Sequence, residues 1–199
     1  MLLGLRSGSV ALALLCAGGA LLLDAQAAPA RAVTLCEMTG GLLGCPAADA
    51  KPSGPPSFYR SMATADAKLD AKVAASMVSG FRRNNGLGAV TLDDRLMRMA
   101  EEQARAMASK NRFEHDAAGP FAQRIKRSGY DAKIAVENIG AGYHTLAEAF
   151  SGWRDSPPHR ANMLRSGVTK MGIAAVYSPR SKYKVFWALI LAAPDDRRG

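Results

Sequence analysis

His115, Glu137 and His159 are the side chains of this sequence whose types invite chemistry. Only three histidines occur in the 199 residues. His115 sits between two carboxylates in "FEHDAAGP", and His159 follows two prolines in "SPPHRANML". Glu137 interrupts an apolar segment in "IAVENIGAG". Two imidazoles and a carboxylate suit two kinds of chemistry, a cation site or a general acid–base pair. A neutral imidazole binds Zn²⁺ and titrates near neutrality, while a carboxylate orients the ring or completes coordination. The three lie on separate segments and nothing resembles H-E-x-x-H, so spacing alone leaves open whether they converge or are unrelated surface and structural residues. His144 precedes a helix cap in "GYHTL" and is expected to face solvent.

The elements that must position these residues follow from periodicity. Leu69, Val73, Met77 and Phe81 recur every four residues and predict a helix over 66–84, ended by "NNGLG". A second helix is expected over 93–110, capped by Asp93 or Thr91, with Leu96, Met99, Ala100, Gln103, Ala104 and Met107 on its inner face. Its methionines read as core packing. "GPFAQRIKRSGY" predicts a short third helix with Phe121 and Ile125 inward and Gly129 as its stop. "TLAEAFSGW" starts a fourth with the capping box Thr145/Glu148, and Leu146, Phe150 and Trp153 share a face. Pro157 and Pro158 end that helix and launch a short turn anchored by Met163 and Leu164. Around Glu137, Ile134, Val136 and Ile139 mark a short extended segment. "KMGIAAVY" and "YKVFWALILAA" read as an antiparallel hairpin, the second strand central and covered on both faces. The fold class is α+β, a helix-covered antiparallel sheet.

Composition bounds the rest. A hydrophobic share of 48% over this length supports one well-filled core. The excess of 26 Lys+Arg over 17 Asp+Glu, a net charge of +9, favours acidic partners. Its cations are scattered singly or in pairs such as Arg82-Arg83 and Arg197-Arg198, without the basic, aromatic-interleaved stripe of a nucleic-acid surface. Arg6, the uncharged run 7–23 and the small residues of "DAQAAPARA" have the order of a secretory signal, with cleavage expected after Ala27 or as late as Ala32. No retained transmembrane span is expected, the alternative being an uncleaved anchor, since the uncharged run is near the lower limit for a span. Cys16 follows "ALL", whereas lipid attachment wants a small residue beside the cysteine. Cys36 and Cys45 flank a glycine-rich loop that a disulfide can close in an exported chain, the alternative being two free thiols. Residues 28–65 read as leader and Pro-rich linker, 66–193 as the domain and 194–199 as a tail.

In order and separation, "FEHD", "ENIGAG", Trp153, "SPPHRANML" and "MGIAAVY" resemble the CAP superfamily of secreted proteins (cysteine-rich secretory proteins, antigen 5 and plant pathogenesis-related 1) in its compact bacterial form. The resemblance spans residues 69–192. It implies a three-layer α-β-α sandwich with a central antiparallel sheet and a large cleft. It also assigns His115, Glu137 and His159 to the cleft positions of the motifs F-x-H, G-E-N and S-P-G-H-R. The second cleft glutamate of the animal and plant branches is Ser156 here, and two motif glycines are replaced by Val136 and Pro158. Asn138, Arg160 and Asn162 match motif positions too and are expected to bond turns and cleft wall, with a weaker claim on substrate.

Three functions follow as expectations. The first is a periplasmic or extracellular binding module that holds a lipid, an acidic envelope polymer or a protein partner through the cleft or a basic flank. The second is a structural envelope protein. The third is a peptidase or esterase in which His115 and His159 hold Zn²⁺ or share proton transfer, with Glu137 as base and Ser156 as a polar participant. Zn²⁺ is the one cofactor these residue types suggest. Ser156 lacks the G-x-S-x-G elbow of a serine nucleophile.

Overall fold

A computed structural model describes residues 54–195. The expected signal segment, Cys16, the Cys36/Cys45 loop and the last four residues lie outside that range.

Five α-helices and a four-stranded sheet make up the described residues, after a single 3₁₀ turn, Ser57–Tyr59. Helix α1 is Ala71–Asn84. It begins later than residue 66 because Asp70 takes the N-cap, its carboxylate accepting from Val73 N–H at 3.1 Å. Strand β1 (Thr91–Leu92) leads into α2 (Asp94–Lys110), where Asp93 accepts from the N–H groups of both Arg95 and Leu96. Then come α3 (Phe121–Arg127), β2 (Ala132–Ala141), α4 (Leu146–Asp155) and α5 (Pro157–Met163). The chain finishes with the hairpin β3 (Lys170–Tyr177) and β4 (Val185–Pro194). The capping box at Thr145/Glu148 forms as expected.

The sheet order is β1-β3-β4-β2. Strand β4 is central and antiparallel to both neighbours, while the two-residue β1 adds a parallel edge, so the sheet is mixed rather than wholly antiparallel. Alternation along β4 builds both halves of the core. Val185, Trp187, Leu189 and Leu191 pack with α1, α4 and α5 through Val78, Ala149, Trp153 and Met163. Phe186, Ala188, Ile190 and Ala192 pack with α2 through Leu96, Met99, Ala104 and Met107. This is the three-layer α-β-α sandwich. It explains why β4 is apolar throughout, since neither face meets water. Helix α2 lies directly on β3: a Cβ built at Gly172 would stand 2.1 Å from the Leu96 backbone carbon. Glycine at 172 is what permits that approach.

Two boundaries differ from the sequence reading. Met62 is buried in the core and Phe58 packs against it, so residues assigned to the linker belong to the domain. A backbone bond from Met62 N–H to His144 O at 2.6 Å fixes that segment. Residues 157–163 form a helix, not only a turn, because proline at N1 lacks a donor that the first helical turn would leave unpaired anyway. Among the described residues no helix is long and apolar enough to cross a membrane.

Candidate functional site

Strand β2 is an edge of the sheet, and the candidate site forms where the two helical layers meet that edge. Glu137 points from β2 toward the α2/α3 layer, with its side chain 2% exposed. One carboxylate oxygen accepts from Arg124 Nη2 at 2.7 Å, the other from His115 Nδ1–H at 2.9 Å. Since an ionised carboxylate can only accept, the His115 proton toward Glu137 sits on Nδ1 and Nε2 faces away from the pair.

His115 reaches this position through a loop held at several points. Helix α2 ends at Asn111 in the left-handed conformation (φ 52°), and the chain turns back across its own last turns. Gln103, fully buried on α2, donates to Glu114 O at 2.8 Å and accepts from Ala118 N–H at 3.1 Å. Lys110 Nζ donates to Ala117 O, and Arg124 donates to both His115 O and Gly119 O. The loop backbone is thus tied to α2 and α3, while the His115 ring remains about half exposed.

The opposite wall comes from α5. Asn162 Nδ2 donates to the outward carbonyl of Glu137 at 3.1 Å and to Asn138 Oδ1 at 2.9 Å, and Asn138 Nδ2 donates to His159 O at 3.0 Å. Trp153 Nε1 donates to Ile139 O at 2.9 Å. Side chains of α4 and α5 therefore satisfy carbonyls along the sheet edge that would otherwise invite another strand. His159 Nδ1 shares a 2.9 Å hydrogen bond with Ser156 Oγ, the residue that ends α4 and begins α5. Because that hydroxyl faces the ring, it does not cap α5.

His115, Glu137, Ser156 and His159 are consequently joined in one neighbourhood, with Asn138 and Asn162 binding its walls together. Arg160 stands apart from these bonds, its guanidinium 5.5 Å over the Phe81 ring on α1. His144 is exposed. Sequence reasoning missed Arg124, whose side chain is fully buried against Glu137. Its signal was present: Phe121, Arg124 and Ile125 are spaced i, i+3, i+4, so the arginine shares the inward stripe of α3.

The two imidazoles are driven in opposite directions. The hydrogen bond to Glu137 raises the His115 pKa above the ordinary 6.5, against the smaller effect of burial. Burial lowers that of His159, and the His115 charge lowers it further. Near neutrality one ring is biased toward imidazolium and its neighbour toward the neutral base, the separation an acid–base pair uses. The stability consequence has a definite sign. His115 stabilises the fold fully below 6.5 and loses that contribution as pH rises through its raised pKa. His159 costs stability as pH falls below 6.5, because the unfolded chain then binds the proton more readily. Together they predict a histidine-dependent stability maximum near 6.5. Histidine ring NMR titrations should place His115 above and His159 below that value, and His115→Gln should move His159 upward. Coincident midpoints would contradict this arrangement.

As a metal site the donor set is thin. The Nε2 atoms of His115 and His159 are the available nitrogens, both Glu137 oxygens are engaged, and no group of three His, Cys, Asp or Glu among the described residues is placed to hold an ion. Zn²⁺ held by these two rings would need solvent or ligand oxygens to complete four positions.

Comparison with known proteins agrees with this fold. The family model described as "CAP: Cysteine-rich secretory protein family" matches residues 75–191, more than half of the chain. An uncharacterised Bacillus subtilis protein, YkwD, is 31% identical over 110 residues, which are 54% of this chain and 42% of that relative. An uncharacterised Borreliella burgdorferi protein is 25% identical over 108 residues, 54% of this chain and 69% of that protein. Among solved structures, an extracellular Bacillus anthracis protein containing an SCP domain superposes with TM-score 0.54 at 23% identity, covering 61% of this chain and 39% of that one. An outer surface protein of Borrelia burgdorferi superposes with TM-score 0.57 at 20% identity, covering 63% and 93%. The match thus spans less than half of the Bacillus subtilis relative.

Proposed function

This chain belongs to the cysteine-rich secretory protein (CAP) family, and from that premise we propose that it acts after export as a binding module for an acidic envelope polymer. The observation that carries the reading is the fixed orientation of two neighbouring imidazoles. Each Nδ1 is occupied, by Glu137 in one case and Ser156 in the other, which leaves each Nε2 free to meet a ligand. One ring leans toward the cationic form, and the chain carries +9 overall, so a carboxylate- or phosphate-bearing polymer is the complementary partner. The extracellular and outer-surface descriptions of the Bacillus anthracis and Borrelia proteins support export.

Co-sedimentation with polygalacturonate, an acidic polymer, against neutral dextran tests the reading. The parent should bind the acidic polymer and release it as pH rises through the His115 transition, and His115→Gln with His159→Gln should weaken retention about tenfold. Equal retention of parent and double variant would overturn it.

A hydrolytic reading has one specific observation in its favour. The histidine pair has its pKa values pushed apart, and Ser156 Oγ bonds the ring that is biased toward its neutral form. Peptidase or esterase turnover abolished by His159→Ala, with or without added Zn²⁺, would establish it in place of binding.

A further inference from the structure

A hollow lies between α2 and α3, with a volume of about 190 Å³. Its lining is built from two helical stripes. Arg95, Arg98 and Glu102 follow i, i+3, i+7 along α2, and Arg124, Arg127 and Ser128 follow i, i+3, i+4 along the end of α3. Four guanidinium groups against one carboxylate is an unusual concentration of like charge, and its members are unequally compensated. Arg127 Nη2 pairs with Glu102 at 2.5 Å, and Arg95 Nη1 donates to Gly129 O at 2.6 Å. Arg98 makes no hydrogen bond or ion pair with any described residue. Arg124 is fully buried and gives Nη2 to Glu137 and Nε to Gly119 O, yet its Nη1 has no hydrogen-bond partner. A buried nitrogen of a charged group without an acceptor is costly, and each such case calls for a partner.

We propose that this hollow is a binding site for a small tetrahedral oxyanion, a phosphate or phosphate monoester. Guanidinium groups match phosphate oxygens with paired, planar donors, and several converging from two rigid helices can engage three oxygens at once. The Arg127–Glu102 pair is exposed and can open to admit the anion, since surface pairs of this kind contribute little. Arg98 supplies the uncommitted charge. Arg124 lines this hollow and also holds Glu137, so the anion site and the histidine site share one buried guanidinium. The inference does not depend on the polymer-binding reading: arginine variants test one, histidine variants the other.

The experiment titrates the full chain with inorganic phosphate, followed by calorimetry and by the shift in Tm, with chloride at matched ionic strength as reference. Glycerol 3-phosphate and phosphatidylcholine vesicles with or without phosphatidic acid form the parallel arms, distinguishing a free phosphate ester from a lipid headgroup. Saturable binding in any phosphate-bearing arm that weakens about tenfold or more in Arg95→Ala/Arg98→Ala supports the site. Arg180→Ala, at a different hollow formed by α2 and the β3–β4 loop, should leave that binding unchanged. No binding beyond the chloride reference in every arm, or binding that the double variant retains in full, overturns it.

Discussion

Replacing Glu137 by leucine should destabilise the domain by about 3–5 kcal/mol, because it leaves the Arg124 guanidinium charged and almost without compensation inside the protein. The Arg124 side chain is fully buried, and Glu137 is the one carboxylate bonded to it. After the substitution only the carbonyls of Gly119 and His115 remain as its acceptors. For a domain of this size the loss corresponds to a fall in Tm on the order of 10 °C. Arg124→Met should also be destabilising, though by less, because it leaves a buried carboxylate whose one remaining side-chain partner is His115. Combining the two removes both charges and should recover a large part of the stability, since apolar replacement of a whole buried pair is often close to neutral. Recovery will not extend to the site: without Glu137 the His115 ring loses its anchor and the main cause of its raised pKa. Thermal melts of both single variants and the double variant, with the His115 titration, check this. Additive losses in the double variant would show that the pair is not the coupled unit described.

The contrast between what periodicity reveals and what it hides is clearest around this pair. Helix α2, the capping box of α4 and the central place of β4 were readable because each rests on local rules: apolar spacing, a cap residue, a run of β-branched and aromatic side chains. Strand β2 runs well beyond the short extended segment that Ile134, Val136 and Ile139 mark in the sequence. Ala132, Lys133, Gly140 and Ala141 have little strand preference of their own, and they extend because β4 offers a ladder from Phe186 to Pro194. Strand β1 has two residues and no period to detect. It pairs with β3 at Lys170 and Met171, beside the glycine at which α2 lies on the sheet. At α5 two adjacent prolines suggest a break in the sequence, yet they occupy the first turn of a helix without loss.

For the site, residue types together with motif order brought His115, Glu137, Ser156 and His159 to one place. What sequence could not supply is the pairing. Local spacing puts Arg124 on the inward stripe of α3, but nothing local says that it pairs with Glu137, or that Gln103 spends its amide on the loop carrying His115. Those assignments depend on distances between α2, α3 and β2, which only the assembled layers define. The positioning roles therefore fell to residues that sequence reading treats as solvated or as core filler.

Arg82 carries the same lesson to a position far from the carboxylates, and its replacement by methionine should cost about 3 kcal/mol or more. In the sequence it is half of an Arg-Arg pair that reads as surface charge. In the fold it is 1% exposed while Arg83 is exposed. Its guanidinium donates to four backbone carbonyls: Gly88 at 2.8 Å, Met163 at 2.9 Å, Arg165 at 3.0 Å and Val168 at 3.1 Å. Burial lowers its pKa, yet the charge is retained because carbonyl dipoles surround it, including that of Met163 at the end of α5. A cation there ties α1, the 86–90 loop and the segment after α5 into one unit. Methionine fills similar volume but leaves those carbonyls without the donor, and lysine, with a single point charge in place of a planar fork, should restore only part of the loss. Arg83→Met, one residue along, should stay within about 0.5 kcal/mol of the parent. Because α5 carries His159 and Asn162, the clamp also predicts a distant effect: Arg82→Met should bring the His159 pKa back toward 6.5 as α5 loosens and water reaches the ring. Chemical denaturation of the three variants and the His159 titration read both consequences. A stable Arg82→Met protein with His159 unchanged would mean that α5 is held in place without the clamp.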